Sequence, residues 1–192
     1  AITLSEDNYI RHMPVEMFRV QNRGGKGLKG VATKNEDTPQ LIVTCFSKDR
    51  LLIFTDKGRV YGLKAWETPL ASRHARGSHI RNVIEKIQDD ENIVTILPIS
   101  RDLLESPDGH FLLFATRLGL IKKTKLEEYV RINRNGKYAL RFKLDNDSLV
   151  NVRTGTNESA VVMISSTGFA SRFACSDIRS SGRVSAGVYG IK

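Results

Sequence analysis

The sequence predicts an all-β fold, a propeller-like array with about four blades visible, and three observations predict it. Four strand–turn–strand segments recur along the chain: ITLSEDNYIRHM (2–13), LLIFTDKGRVYGLK (51–64), FLLFATRLGLIKKT (111–124) and VVMISSTGFASRF (161–173). Two further landmarks follow in the same order, a glycine after all four turns and an acidic corner after the first three. No long stretch keeps apolar residues at i, i+3, i+4 and i+7, so helices should be few.

The hairpins come first. Val, Ile, Leu, Phe and Thr dominate them, and the turn residue is Asn8, Gly58, Gly119 or Gly168, at spacings of 50, 61 and 49 residues. Gly and Asn tolerate the positive φ that tight hairpin turns demand. The second landmark is a glycine 19 residues past the turn in repeats 1, 2 and 4 (Gly27, Gly77, Gly187) and 17 past it in repeat 3 (Gly136). The third is a polar or acidic corner entering an apolar strand: EDTPQLIV (36–43), DDENIVTIL (89–97) and DNDSLVNV (145–152). The chain therefore reads as one domain, 1–192, with repeats at roughly 1–48, 49–108, 109–157 and 158–192, the last cut short. Each unit offers a hairpin, a glycine-bearing loop and at least one further strand. Helical repeat families do not fit, and the sole Trp, Trp66, precedes Glu rather than the Asp of a WD repeat.

Composition is ordinary for a globular chain, 40% hydrophobic and 27% charged. No apolar run approaches the roughly 18 residues of a membrane span. The opening AITLSEDNYI has neither the basic region nor the apolar stretch of a secretory signal. Cys45 and Cys175 form no CxxC pair, and the expectation is two buried free thiols in a reducing compartment, with no metal site. Thirty Lys and Arg against 21 Asp and Glu leave a formal charge of +9, which favours nucleic acid as partner. A membrane surface would call for a basic amphipathic helix, and none is seen.

The charges fall in register. Three to six residues past the turns stand Arg11, Lys64, Lys122, Lys123 and Arg172. The glycine loops carry Arg23, Lys26 and Lys29, then Arg73, Arg76 and Arg81, then Arg131, Arg134 and Lys137, then Arg179 and Arg183. Carboxylates gather instead at the pre-strand corners, around Glu36, Asp89 and Asp145. A radial array places equivalent loops on one rim, so the cations should line one perimeter. Charges that are merely solvated would not segregate this way.

Residues 25–30, GKGLKG, satisfy the letters GxGxxG, but VATKNEDTPQ follows with no apolar helical face and the repeats leave no room for a βαβ unit, so a dinucleotide site fails on context. A flexible linker would not recur at a shared position inside a periodic unit. A phosphate-contact loop remains. Glycine lets backbone N–H groups approach an anion, Arg23 can fork onto phosphate oxygens, and Lys26 and Lys29 add point charges. Such contacts ignore base sequence.

QNRGGKG, 21–27, resembles the gyrase A box, whose usual form is Q(R/K)RGG(R/K)G. LLIFTDKGRVYGLKAWETP and SSTGFASRF with GVYGIK resemble blade segments of the same family, so the resemblance spans the chain. It is to the C-terminal DNA-wrapping domain of the gyrase A subunits, in the bacterial type IIA topoisomerases. It implies a β-pinwheel variant of the propeller, usually six-bladed. Four repeats are visible in this sequence, so either two lie beyond it or the ring is open. Gln21, Arg23, Gly24, Gly25, Lys26 and Gly27 match the box, whereas Asn22 replaces a usual cation. The related topoisomerase IV protein generally lacks an intact box, and is kept as an alternative beside a propeller scaffold that binds protein.

The implied role is sequence-independent wrapping of duplex DNA around the basic rim, which gives strand passage its handedness. The implied partners are duplex DNA and the other parts of DNA gyrase, namely the remainder of its A subunit together with its B subunit. The implied setting is the cytoplasm, on the chromosome, with no membrane. This segment should hold no catalytic residue and no cofactor, ATP and Mg²⁺ belonging to the parent holoenzyme. Its tyrosines do not resemble the family's DNA-cleaving site. His74 and His79 could add donors beside Arg76.

Overall fold

A computed structural model describes residues 1–17, 38–72 and 74–191. In chain order its strands are β1 (Ile2–Ser5), β2 (Tyr9–His12), β3 (Pro39–Val43), β4 (Arg50–Thr55), β5 (Arg59–Lys64), β6 (Ser78–His79) and β7 (Ile93–Ile99). They continue with β8 (Phe111–Thr116), β9 (Leu120–Lys125), β10 (Lys137–Tyr138), β11 (Leu149–Gly155), β12 (Ala160–Ile164), β13 (Ala170–Ala174) and β14 (Val188–Tyr189). Among the described residues helix is limited to two short α segments, Ile80–Val83 and Arg101–Glu105, and four 3₁₀ turns.

The recurring hairpins form as the sequence predicts: β1–β2, β4–β5, β8–β9 and β12–β13 pair antiparallel. Their turns carry positive φ at Asn8 (63°), Gly58 (74°), Gly119 (84°) and Gly168 (88°), the region that Gly and Asn enter at least cost. The strands that follow the acidic corners, β3, β7 and β11, pair with the first strand of each hairpin.

The fourth strand of each blade comes from elsewhere. Sheet order is β3-β1-β2-β6, then β7-β4-β5-β10, then β11-β8-β9-β14, with a two-stranded β12-β13 at the end. Each two-residue outer strand thus lies just past the landmark glycine of one repeat and pairs with the hairpin of the repeat before it. Blades and sequence repeats are out of phase by that strand. At Gly77 the junction leaves no room for a side chain, since a Cβ there would lie 2.5 Å from the Ile10 carbonyl oxygen.

The core sits between blades. Along β4, Leu51 and Ile53 point to a cluster with Ile2, Leu4, Ile10 and Ile96 of the first two blades. Leu52 and Phe54 point the other way, to Leu112, Phe114, Leu126 and Tyr129 of the third. Both faces of β4 are buried, so LLIF is an unbroken apolar run where a one-faced sheet would alternate. Phe54, Phe114 and Tyr129 stack at centroid distances of 5.6 to 6.3 Å. β12 and β13 alternate instead between half-buried and exposed positions, leaving Val162, Ile164 and Phe169 in solvent. β3 touches β7 and β7 touches β11, so these strands form the converging inner edge of an unclosed row. β6, β10 and β14 form the opposite, outer edge.

Cys175 is buried and Cys45 half-buried, and both are free thiols, their pKa values raised by burial. Among the described residues no helix is long and apolar enough to cross a membrane, and no cluster of three His, Cys, Asp or Glu could hold a metal ion.

Candidate nucleic-acid interface

The outer edge is where the glycine loops of repeats 2, 3 and 4 arrive, each on the blade before it. His12 N donates to the Pro69 carbonyl and Ala71 N to the His12 carbonyl. Gly62 N donates to Asn133 O, and Ser181 N to Lys123 O. All three contacts are made four residues past a hairpin turn residue, so the loops sit at equivalent heights on β2, β5 and β9. The loops of repeats 3 and 4 also touch: Arg141 N donates to Ser185 O, and the Arg183 guanidinium donates to the Tyr138 carbonyl.

This edge brings together most of the described cations expected there. Lys64, Arg76, Arg81, Arg131, Arg134, Lys137, Arg172 and Arg179 are exposed, and Arg183 is half-buried. Arg131, Lys137, Arg172 and Arg179 have no carboxylate partner among the described residues. Lys64 Nζ lies 5.9 Å from the Trp66 ring, and Lys64, Glu67, Arg50, Asn133 and Arg134 line a pocket of about 400 Å³ between β5 and the repeat-3 loop. The gyrase A box, Gln21, Asn22, Arg23, Gly24, Gly25, Lys26 and Gly27, lies outside the described residues, as do Lys29 and Arg73.

Three expected rim contacts are corrected. Arg11, Lys122 and Lys123 are 2%, 2% and 4% exposed and face inward. Both faces of β9 are covered, so adjacent lysines of opposite orientation are both enclosed. Each survives burial because its head finds oxygen acceptors. Arg11 Nε donates to Thr3 Oγ1 and Nη1 to Ser72 O, both at 3.3 Å. Lys123 Nζ donates to Asn157 Oδ1 at 2.6 Å and Cys175 O at 2.9 Å. Lys122 Nζ donates to Ala139 O at 2.7 Å and to the Arg183 carbonyl, and lies 4.9 Å from the Phe114 ring centroid. Burial pushes the Lys122 pKa down to about 7, with Glu128 opposing the shift.

The segregation of charge is also incomplete. In the acidic corner before β7, Asp89 binds Arg81 of the outer edge at 2.7 Å and Asp90 binds Lys57 of the β4–β5 turn at 3.3 Å. Glu91 is buried against Arg59 and the Tyr61 hydroxyl; burial, and after it the hydrogen bond to Glu91, push the Tyr61 pKa up to about 12. Yet Glu67 holds Arg134 at 3.1 Å, Glu128 accepts Arg183 N, and Asp7 binds Arg76 at 2.6 Å, all on the basic edge. Arg76 also lies 3.8 Å over the Tyr9 ring, on which His79 packs edge-on. His74 is exposed.

Sequence reasoning passed over Arg50 and Arg141. Arg50 donates to the Ile132 carbonyl, and nothing in its strand-head position signals that long-range contact. Arg141 is exposed five residues past Gly136, close to where Arg81 stands relative to Gly77, so the register did carry that signal.

The family described as "DNA gyrase C-terminal domain, beta-propeller" matches residues 1–38, 49–100, 110–154 and 160–192. The chain belongs to this family. It is 43% identical over 190 residues to the DNA gyrase A subunit of Staphylococcus epidermidis, and equally to that of Staphylococcus aureus MRSA252. Each alignment covers 99% of this chain and 21% of the relative, so the chain spans about a fifth of the length of the curated relatives it matches. Among solved structures, the C-terminal domain of DNA topoisomerase IV superposes with a TM-score of 0.76 at 27% identity, over all of this chain and 56% of that one. A DNA gyrase A C-terminal domain gives 0.76 at 24% identity, over 59% of its length. The fold is the β-pinwheel of this family, with strand-swapped outer edges.

Proposed function

We propose that the chain binds duplex DNA without regard to base sequence and bends it along the outer edge of the blades. In the parent enzyme this is the step that fixes the handedness of strand passage and lets a gyrase introduce negative supercoils. The supporting observation is the repeated seating of basic loops at one height on β2, β5 and β9, with Arg131, Lys137, Arg172 and Arg179 unpaired among the described residues. Backbone-directed Arg and Lys hold phosphates and read no base edges. Within the box, Arg23 and Lys26 contact phosphate and Gly24, Gly25 and Gly27 admit it, with Gln21 and Asn22 as amide donors; Lys29 and Arg73 extend the track.

The domain works without a catalytic residue or cofactor of its own. ATP and Mg²⁺ serve the parent enzyme, whose other parts are the rest of the gyrase A chain together with the gyrase B chain. Bending a 20–30 bp site by 40–90° costs on the order of 1–6 kcal/mol, which counterion release must offset. Mobility shift with plain duplexes of unrelated sequence tests the reading: equal, salt-sensitive retardation is expected, and no retardation at low salt refutes it.

The likeness to the topoisomerase IV domain favours a second reading, an equivalent domain in an enzyme that does not supercoil. The intact glycines and cations of 23–27 favour gyrase. Arg23→Ala with Lys26→Ala should abolish negative supercoiling of relaxed circles by the holoenzyme while leaving relaxation. A wild-type enzyme that never supercoils would decide for the second reading.

A further inference from the structure

We infer that Arg11 and Lys122 are positioning residues: buried basic side chains whose N–H donors fix the next repeat's basic loop at the outer edge without touching DNA. The inference rests on the DNA-binding reading above, and three observations carry it.

The first is register. Arg11 stands three residues past Asn8, and Lys122 three past Gly119. Arg11 reaches the carbonyl of Ser72, 14 residues past Gly58, and Lys122 that of Arg183, 15 past Gly168. Two blades thus use the same strand position to grip nearly the same loop position of the following repeat. Simple core filling by aliphatic stems does not require that coincidence.

The second is the exception. In the middle blade the equivalent position is Tyr61, whose hydroxyl is engaged by Glu91 and Lys86 O, so it cannot serve. There the backbone contact that all three blades make is joined by a closer approach of loop to strand and by a donor from β4. Gly62 N donates to Asn133 O at 3.1 Å, a Cβ on Gly62 would lie 2.0 Å from Ile132 O, and Arg50 takes that same carbonyl. Where the internal basic side chain is lacking, another donor holds the loop.

The third is placement. Lys122 bonds Ala139 O and Arg183 O together, and so joins the repeat-3 loop carrying Lys137 to the repeat-4 loop carrying Arg179 and Arg183. Its Nζ is buried beneath those loops, out of reach of a phosphate. Its removal leaves two carbonyls without their donor and frees the backbone that sets where the exposed cations stand.

Hydrogen exchange and duplex binding on the full chain test this together, comparing wild type with Lys122→Met and Lys122→Arg. The expected result for Met is faster exchange confined to residues 179–186, unchanged protection in β8, and duplex affinity lower by on the order of tenfold. Arginine, which holds the loop natively at position 11, should restore both. Wild-type protection of 179–186 in the Met variant overturns the inference, as does loss of protection spread evenly through β8, which marks a merely structural lysine. If the wild-type chain fails to bind duplex while Met still loosens the loop, the DNA reading falls and the loop-holding role stands. Should Lys122→Met not fold, Arg11→Met asks the same question of residues 74–77.

Discussion

Removing two unpaired rim cations should flatten the salt dependence of DNA binding by a calculable amount. Five exposed cations of the outer edge, Lys64, Arg131, Lys137, Arg172 and Arg179, have no carboxylate partner among the described residues. If each neutralises one phosphate, log K falls against log salt with a slope of about −4.5, or ~500-fold between about 50 and 200 mM. Arg23, Lys26, Lys29 and Arg73 would raise the slope to about −8 and the loss to ~10⁵-fold. Replacing Arg131 and Lys137 by Ala removes two charges from one loop and should change the slope by about 1.8, so that the loss over the same range shrinks ~12-fold. Fluorescence anisotropy with a short duplex at several salt concentrations reads this directly. Lys57→Ala is the control, because Lys57 is tied to Asp90 at the head of β7, and it should leave the slope unaltered. An unchanged slope in the double variant, or an equal change in the control, refutes the outer-edge path.

Glu67→Gln should raise duplex affinity a few-fold at low salt and little at high salt, since it releases Arg134 while an amide oxygen can still cap Lys64 N; anisotropy at two salt concentrations checks this. Gly77→Ala should lower the unfolding midpoint by several degrees, combining positive φ (87°) with a Cβ 2.5 Å from Ile10 O. Gly109→Ala, with φ 74° but open space around it, should lose only the conformational part in the same thermal melts. Burial lowers the Lys122 pKa from an ordinary 10.5 to about 7, so between those values the unfolded chain keeps a proton that the folded chain has shed. The sign is therefore stability that is fully present above the upper value and lost as pH falls through about 7, with a slope up to about 1.4 kcal/mol per pH unit. Glu128 and Arg183, which face Lys122, remain in Lys122→Met, so urea unfolding across this window should show the slope in wild type and not in the variant.

What was legible in the sequence was local. Asn8, Gly58, Gly119 and Gly168 announce hairpins because positive φ is demanded of the turn residue alone, and the acidic corners announce β7 and β11 because they abut long apolar runs. The outer strands were not legible. Ser78–His79, Lys137–Tyr138 and Val188–Tyr189 are two residues each, too short for a period, and their partners lie in the preceding repeat. The same gap explains Arg11, Lys122 and Lys123. Position along a strand says which face a side chain takes, and nothing local says that both faces are covered by neighbouring blades. Charge counting found the cations that end in solvent and those that end inside with equal ease, and burial alone separates them.

The swapped outer strands bear on why such an edge could bend DNA rather than merely attract it. Exposed ion pairs are worth at most about 1 kcal/mol, and a row of cations on mobile loops would follow a straight duplex instead of curving it. Curving 20–30 bp costs on the order of 1–6 kcal/mol, so the platform must yield less readily than the DNA does. Here each of the three described basic loops is fastened to the blade before it by strand pairing, by a glycine packed against backbone (Gly77, Gly187) or against the Tyr61 ring (Gly136) and, in two blades, by an internal basic side chain. Moving one loop therefore disturbs two blades and the core between them. On the proposed DNA-binding reading, that fastening would set the path a duplex follows, and the number of surface charges would set only how strongly it is held there.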